Sequence, residues 1–379
     1  MKIVFVSNIL NHHQNALCKE LKERCNEFYF IATDNVETLG YQKSIDADYI
    51  VKYYLEDEKR KAETLICDAD AVVFGSCPTK LIKLRLQYNK LSFLFSERFF
   101  KKGSWRRFIP NTRKKIIERV IAHKHNQLHV LCASAYLPYD LSFFNFPISK
   151  CYKWGYFPMA KQYSDINTIL QRKKSLSILW AGRLLEWKHP EKAIALAKRL
   201  KRDGYNFQLI IIGDGPLKNT LENKIKKYQL ENNVHMLGGM SPEQVRYYME
   251  QSQIFLFTSD RHEGWGAVLN EAMNSGCAVV ASHIIGSAPF LIDDMKNGIL
   301  YKNGEMDDFY NRVTMLLNNQ QICFNIGREA YQSIIQEWNA TVAANRLVNI
   351  IEGLLKGDQK FYTKGVCSNA TKLRENWYR

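Results

Sequence analysis

No stretch of this 379-residue chain approaches the roughly 20 consecutive apolar residues that a membrane-spanning helix needs, which argues against a spanning helix. The nine cysteines are odd in number, scattered, and never spaced Cys-x2-Cys. That excludes a disulfide framework and a zinc ribbon, and reads as reduced packing residues of a cytoplasmic protein. Zinc-finger, RNP-like and helix-turn-helix patterns are missing, as is any low-complexity tract. Met1–Ser7 reads as a short strand that meets a polar turn at Asn8, not as a signal peptide. Acids are in short supply: 38 Asp and Glu stand against 53 Lys and Arg, a formal charge of +15. Such an excess asks for an anionic partner, and without a nucleic-acid-binding pattern the expectation is that this partner is not nucleic acid.

What is present is a long chain of ordinary composition, 46% hydrophobic, with room for two domains each holding its own core. Short apolar runs alternate with helical patterns in both halves. The first set lies near Lys2–Val6, Phe28–Ala32, Ala71–Gly75, Leu91–Phe95 and His129–Ala133. The second lies near Ser177–Ala181, Gln208–Ile212, Val234–Leu237, Ile254–Phe257 and Ala278–Ala281. This is the βαβ rhythm of open parallel sheets, so the fold class is α/β. Gly155 and Pro158 punctuate an aromatic segment and mark the join, giving domains 1–155 and 156–339. Val342, Leu347, Ile350, Ile351 and Leu354 form one stripe of a last helix, and Trp377 and Tyr378 suggest a tail that packs on something.

Two segments of the second half carry chemistry. Glu263 and Glu271 flank Gly264-Trp265-Gly266-Ala267-Val268-Leu269-Asn270, between an apolar strand and a helix closed by Gly276. A loop feeding a helix offers backbone N–H groups to an anion or a sugar oxygen. Alone, Glu271 fits an ordinary helix carboxylate and Glu263 a dipole complement equally well. Upstream, a strand ends at Gly182, and Arg183 and Lys188 follow it in a loop that leads to a helix near Glu191–Arg202. An Arg fork and a mobile Lys at a strand end suit a diphosphate; two solvated surface cations are the plainer alternative.

Together these segments resemble the retaining glycosyltransferases of family 4, the glycosyl transferases group 1. The matching residues are Gly182-Arg183-Leu184 with Lys188, the Glu-x7-Glu element at Glu263 and Glu271, Ile210–Pro216, Val234–Gly238, Gly286–Pro289 and Asn297–Tyr301. The resemblance covers about residues 175–355 and is much weaker over the first 150. It implies a GT-B fold: two Rossmann-like, doubly wound parallel-sheet domains facing across a cleft, with the acceptor on the N-terminal side. The C-terminal helix and tail, about 340–379, would join that first domain.

The resemblance also implies the activity. A sugar moves with retention from a nucleoside diphosphate sugar, UDP- or GDP-linked, to a glycan or polyprenyl-linked glycan, in bacterial surface-polysaccharide assembly. It implies no metal and no further cofactor. Arg183 and Lys188 would clamp the diphosphate, Glu271 the ribose, and Glu263 with the backbone of Gly264, Trp265, Gly266 and Ala267 the sugar. The base would lie near Gly213, Met236 and Leu237. The leaving phosphate would take the acceptor proton, so no protein nucleophile is required. The first domain departs from the pattern. Where relatives carry a Gly-Gly loop, this chain has Asn8, His12 and His13, which can still donate to sugar or phosphate oxygens. Glu97 takes the reactive-centre position after the fourth long strand, by strand order. Rival readings are a sugar-nucleotide epimerase of similar fold and a non-catalytic anion- or nucleic-acid-binding protein.

From Arg98 to Lys124, ten cations face the single acid Glu118, interleaved with Phe99, Phe100, Trp105, Phe108, Ile116 and Ile117. That composition suits peripheral docking on the anionic inner face of the cell membrane. The spacing of Ile116, Ile117, Val120 and Ile121 fits the buried stripe of a helix as well. Asp46-Ala47-Asp48 and Asp68-Ala69-Asp70 spell Asp-x-Asp but read as surface carboxylates.

Overall fold

The computed structural model describes residues 1–35, 45–358 and 361–378. They form two compact units: Met1–Met159 with Glu337–Arg374, and Ala160–Gln336 with Glu375–Arg379. The first holds β1 (Lys2–Ser7), β2 (Glu27–Ala32), β3 (Ile50–Lys52), β4 (Ala71–Phe74), β5 (Ser92–Ser96), β6 (Leu128–Cys132) and β7 (Cys151–Lys153). The second holds β8 (Lys174–Ala181), β9 (Gln208–Ile212), β10 (Val234–Gly238), β11 (Ser252–Phe257), β12 (Ala278–Ser282) and β13 (Ile299–Tyr301).

Every paired strand is parallel, in the orders β3-β2-β1-β4-β5-β6-β7 and β10-β9-β8-β11-β12-β13. Parallel sheets are covered by helices on both faces, so central strands need apolar side chains at every position rather than at alternate ones. β4 (AVVF), β6 (LHVLC) and β12 (AVVAS) are accordingly buried at each residue. Strand order reverses between β1 and β4 in one unit and between β8 and β11 in the other. At such a reversal the following helices leave to opposite faces, and a crevice opens beyond the C-terminal strand ends. The sequence-predicted loops after β1, β8 and β11 all emerge there.

The first unit is knit together by one buried cation. Arg85, on the helix Thr79–Leu86, is fully buried. Its guanidinium donates to the carbonyls of Ile66 (2.9 Å), Cys67 (3.1 Å), Ala69 (2.7 Å), Asp70 (3.1 Å) and Leu91 (3.0 Å). Those carbonyls end the helix Glu56–Asp68 and lead into β4 and β5. A helix C-terminus leaves acceptors unpaired and partially negative, and the planar fork of Arg satisfies several at once. Burial lowers the Arg85 pKa to about 10, still charged at neutral pH.

The tail closes on the second unit. Tyr378 stacks on His283 with ring centroids 5.3 Å apart, and its hydroxyl donates to the Leu300 carbonyl at 2.8 Å. No described helix is long and apolar enough to cross a membrane. Replacing Arg85 by Met leaves a cluster of buried carbonyls without donors, each costing about 1–3 kcal/mol. Arg85→Met is expected to destabilise the protein by about 3 kcal/mol or more, read as a lower urea midpoint for the first-unit transition. An unchanged midpoint counts against this bracing role.

Candidate active site

In the second unit the ends of β8, β9 and β10 converge through glycine. Gly182 N–H donates to the Ile212 carbonyl at 3.0 Å, and Gly213 N–H to the Gly238 carbonyl at 2.7 Å. Gly213 has φ +144°, and a Cβ there would lie 1.8 Å from the Gly182 carbonyl oxygen. Only glycine allows the two turns to touch. Leu237 is exposed beside this floor, whereas Met236 packs partly against the unit's core.

Arg183 follows Gly182 and is exposed, with no ion pair among the described residues. Five residues on, a single 3₁₀ turn, Glu186–Lys188, brings Lys188 back toward the sheet. Its ammonium contacts the Glu263 carboxylate at 2.6 Å, with the two side chains only 13% and 10% exposed. Ser259 donates to the same carboxylate oxygen at 3.1 Å. Thr258 donates to the Lys188 carbonyl at 2.7 Å while accepting from the Trp180 indole at 2.8 Å. The loops after β8 and β11 are thus stitched at backbone and side chain.

Beyond Glu263 the chain turns at Gly266, φ +80°, where a Cβ would fall 2.2 Å from the Phe257 ring. Gly264 and Trp265 are buried, and the Trp265 indole donates to Asn270 at 2.9 Å. Ala267 caps the short helix Val268–Asn274. Glu271, on this helix, is partly buried; burial pushes its carboxyl above the ordinary range, against the pull of Arg246.

Beneath the Lys188 loop lies a network invisible in the sequence. His189 has a left-handed backbone, φ +51°, and its ring nitrogens contact Glu191 at 2.8 Å and Asp260 at 3.3 Å. Hydrogen bonds to Asp260 and then Glu191 raise its pKa to about 9. Burial works to raise the Asp260 carboxyl, but the contacts of His189 and His262 outweigh it and hold the group at about 2. Thr258 and Asp260 thus anchor Lys188 and His189 from the loop after β11, a role that has no local signature in the sequence.

The remaining expected residues sit in the first unit. Asn11 caps the helix His12–Arg24, accepting from His13 N at 3.0 Å and Gln14 N at 3.2 Å. His12 is exposed and its ring packs on His13 at 3.7 Å. Burial, and then His12, lower the His13 pKa to about 3, so its ring is neutral at any ordinary pH. Asn8 and Glu97 line a cavity of about 460 Å³; His12 and His13 do not. Glu97 is ion-paired with Lys101. In the 98–124 segment Ile116 is buried with Phe100 and Phe144, while Trp105 and Phe108 are 59% and 70% exposed. Asp48 is exposed, and Asp70 accepts from the Lys2 N–H at 2.7 Å. No group of His, Cys, Asp and Glu suited to a metal occurs among the described residues.

Comparison with known proteins agrees with this geometry. Residues 164–333 match the family model "Glycosyl transferases group 1". The chain is 26% identical over 175 residues to the 2-deoxystreptamine N-acetyl-D-glucosaminyltransferase of Niallia circulans, covering 46% of this chain and 44% of that one. It is 30% identical over 184 residues to the amylovoran biosynthesis glycosyltransferase AmsK of Erwinia amylovora, covering 47% and 45%. The matched region thus spans less than half the length of these curated relatives. Anabaena Alr3699/HepE, solved in complex with UDP, superposes with a TM-score of 0.70 at 17% identity, over 93% of this chain and 100% of that one. At this identity the likeness shows the fold alone, the GT-B architecture of two parallel-sheet α/β units.

Below the unfolded His pKa near 6.5 the raised His189 stabilises the folded state fully, and this is lost as pH rises through about 9. The depressed Asp260 contributes above its ordinary value and is lost only as pH falls through about 2. Thermal stability of the second unit is therefore expected to fall by a few degrees between pH 6.5 and 9.5, with His189→Gln flattening that slope. An equal slope in both proteins would remove His189 from the account. Sequence match, glycine floor and stitched loops converge on one assignment: the second unit of this chain belongs to the glycosyl transferases group 1 family.

Proposed function

We propose that the protein is a retaining glycosyltransferase that moves a sugar from a nucleoside diphosphate sugar to a glycan or lipid-linked glycan in surface-polysaccharide assembly. The observation that carries this reading is the Lys188–Glu263 contact beside exposed Arg183, over a floor of backbone that only glycine can form. Arg183 and Lys188 bind the diphosphate and neutralise the charge that grows as the bond to the sugar breaks. Glu263, fixed by Lys188 and Ser259, accepts from sugar hydroxyls. Glu271 accepts from the ribose; its partly desolvated carboxyl gains two donors when it does so. Gly213 and Leu237 border the base. UDP is the favoured nucleotide, since the structural neighbour was solved with UDP.

The acceptor hydroxyl attacks the anomeric carbon on the face from which the diphosphate leaves, and its proton passes to the departing phosphate oxygen. The cations of this chain serve where a metal otherwise would, and Glu97 is the acceptor-side carboxylate of this reading. An epimerase would have to protonate and deprotonate its sugar. Nothing in the Arg183, Lys188 and Glu263 set is arranged for that task.

Arg183→Ala and Lys188→Ala are each expected to cut nucleoside diphosphate release from a UDP-sugar by about 10²-fold or more. Rates near those of the unaltered enzyme would sink the diphosphate role. Release of nucleotide without acceptor-dependent product, or interconversion of donor sugars, would favour the rival readings.

A peripheral station on anionic membrane belongs to the same proposal. Exposed Trp105 and Phe108 lie among Lys102, Arg106 and Arg107, with Arg107 over the Phe108 ring at 4.5 Å. Apolar rings amid cations complement an anionic lipid surface. Vesicles containing phosphatidylglycerol are expected to bind the protein, neutral phosphatidylcholine vesicles not. Binding should fade with salt and with Trp105→Ser plus Phe108→Ser. Equal binding to both vesicles would overturn this part alone.

A further inference from the structure

The first unit's cavity has a chemistry that the fold does not require. It opens at the C-terminal ends of β1, β4 and β5, the reversal point of that sheet, and measures about 460 Å³. Its lining carries four cations, Arg98, Lys101, Lys115 and Arg119, against one carboxylate, Glu97. Two of the cations are already neutralised. Arg98 is buried against Asp140 at 3.3 Å, and Lys101 is paired with Glu97.

Lys115 and Arg119 are different. They stand one turn apart on the helix Pro110–Arg119, and neither pairs with a carboxylate among the described residues. Like charges at i and i+4 weaken a helix, and the helix has no acid in its first turn to offset them. The Arg119 guanidinium donates to the carbonyls of Cys77 (2.6 Å) and Gly75 (3.1 Å), which fixes it at the loop after β4. Lys115 is exposed and has no such tether. The fold uses the Arg119 charge in these two hydrogen bonds, but among the described residues nothing offsets that of Lys115.

A second observation points to a ligand. Gln14 lines the same cavity from the helix His12–Arg24 and is only 5% exposed. Its side-chain carbonyl accepts no hydrogen bond from any described residue. A buried acceptor left unpaired is costly, and rotation of the terminal amide offers it to a hydroxyl arriving in the cavity. Asn8 and Asn11 line the same wall with further amide groups, and Phe95 with Tyr156, in edge contact at 5.2 Å, supplies an apolar one. Amides, an aromatic wall and a cation pair together match one kind of molecule.

We propose that this cavity is an acceptor subsite selective for an anionic sugar, with the hydroxyls read by Gln14 and the asparagines and the anion by Lys115 and Arg119. Lys115 is the specificity-determining residue, because its charge alone is uncommitted. The proposal rests on the glycosyltransferase reading for its name as an acceptor site. The binding itself does not depend on that reading. The anion is a phosphate or a carboxylate on the sugar, and the test separates the two.

The full chain is titrated by NMR with glucose, glucose 6-phosphate, glucuronic acid and inorganic phosphate. The charged sugars are expected to bind about 5-fold or more tightly than glucose, an advantage that salt reduces. Which of the two binds better identifies the anion. Lys115→Ala, at an exposed helix position, should abolish most of the advantage and leave glucose binding unchanged. Gln14→Leu should weaken all three sugars and spare inorganic phosphate; circular dichroism checks that this buried variant folds. Equal affinity for glucose and both anionic sugars overturns the proposal. So does inorganic phosphate binding as tightly as glucose 6-phosphate. If anionic sugars bind as expected but no nucleotide sugar is ever turned over, it is the catalytic reading that fails and not the subsite.

Discussion

Lys188 and Glu263 are 75 residues apart in sequence and 2.6 Å apart in space, and the second unit's site depends on that contact. Their strands, β8 and β11, are hydrogen-bonded neighbours at the point where the sheet order reverses. A mostly buried ion pair gains little net stability, because removing both charges from water offsets most of their attraction. Its value here is positional. Lys188 draws the loop after β8 over the Gly213 turn, and Glu263 draws the loop after β11 toward the same place. Ser259 and Thr258 secure the two from below, each with a hydrogen bond that crosses from one loop to the other or locks the pair. In the proposed reaction a diphosphate would meet there a lysine whose rotamer is already chosen, so less side-chain entropy would be lost on binding.

The backbone beneath this pair imposes its own condition. The Ile212–Gly213 peptide accepts from Gly182 N–H and donates to the Gly238 carbonyl, so hydrogen bonds run across three strand ends, and any side chain at Gly213 would collide with the Gly182 carbonyl. The floor is therefore made of peptide groups alone. It presents dipoles instead of side chains, which suits recognition of a base or a phosphate by close approach. The His189 network supports the other edge: a left-handed residue just before Pro190 starts the following helix, and its charge holds Asp260 ionised under the loop. Backbone strain of this kind persists only where neighbours over-determine it, as Glu191 and Asp260 do here.

Much of this scaffold was legible in the sequence because parallel strands announce themselves as unbroken apolar runs. Ten such runs were readable, and each corresponds to a strand in the sheets. The strands that were not readable, β3 (IVK), β7 (CYK) and β13 (ILY), are three residues long. All three sit at sheet edges, where one neighbour suffices and no periodicity develops. In the site, the residue types of the Gly182–Lys188 and Glu263–Glu271 segments pointed to phosphate and sugar chemistry. Their contact did not show, since pairing between distant loops has no local signature. His189 looked like one more loop residue before a proline. The imidazoles at His12 and His13 looked available for a ligand; neither lines the first unit's cavity, whereas Gln14 beside them, unremarked in the sequence, does so with an unpaired acceptor.

The cationic excess teaches the same lesson about composition. A formal +15 reads as a demand for anionic partners, but part of the cationic charge is used inside the fold. Arg85 is absorbed by five carbonyls, and Lys173 by the carbonyls of Met249 and Ser252 at 2.7 and 2.9 Å. Arg98 is buried against Asp140. Parallel sheets create this need, because every helix that crosses back ends in bare carbonyls near the sheet's edge, and a buried Lys or Arg is a compact way to satisfy them. The uncommitted charge is smaller and more localised than the total: Arg183 over the glycine floor, Lys115 with Arg119 at the cavity, and the cations around Trp105 and Phe108. Each of these groups has a distinct neighbour chemistry, peptide dipoles, amides and exposed rings in turn. Those neighbours, more than the count of charges, are what the separate proposals of a nucleotide, an anionic sugar and a lipid surface rest on.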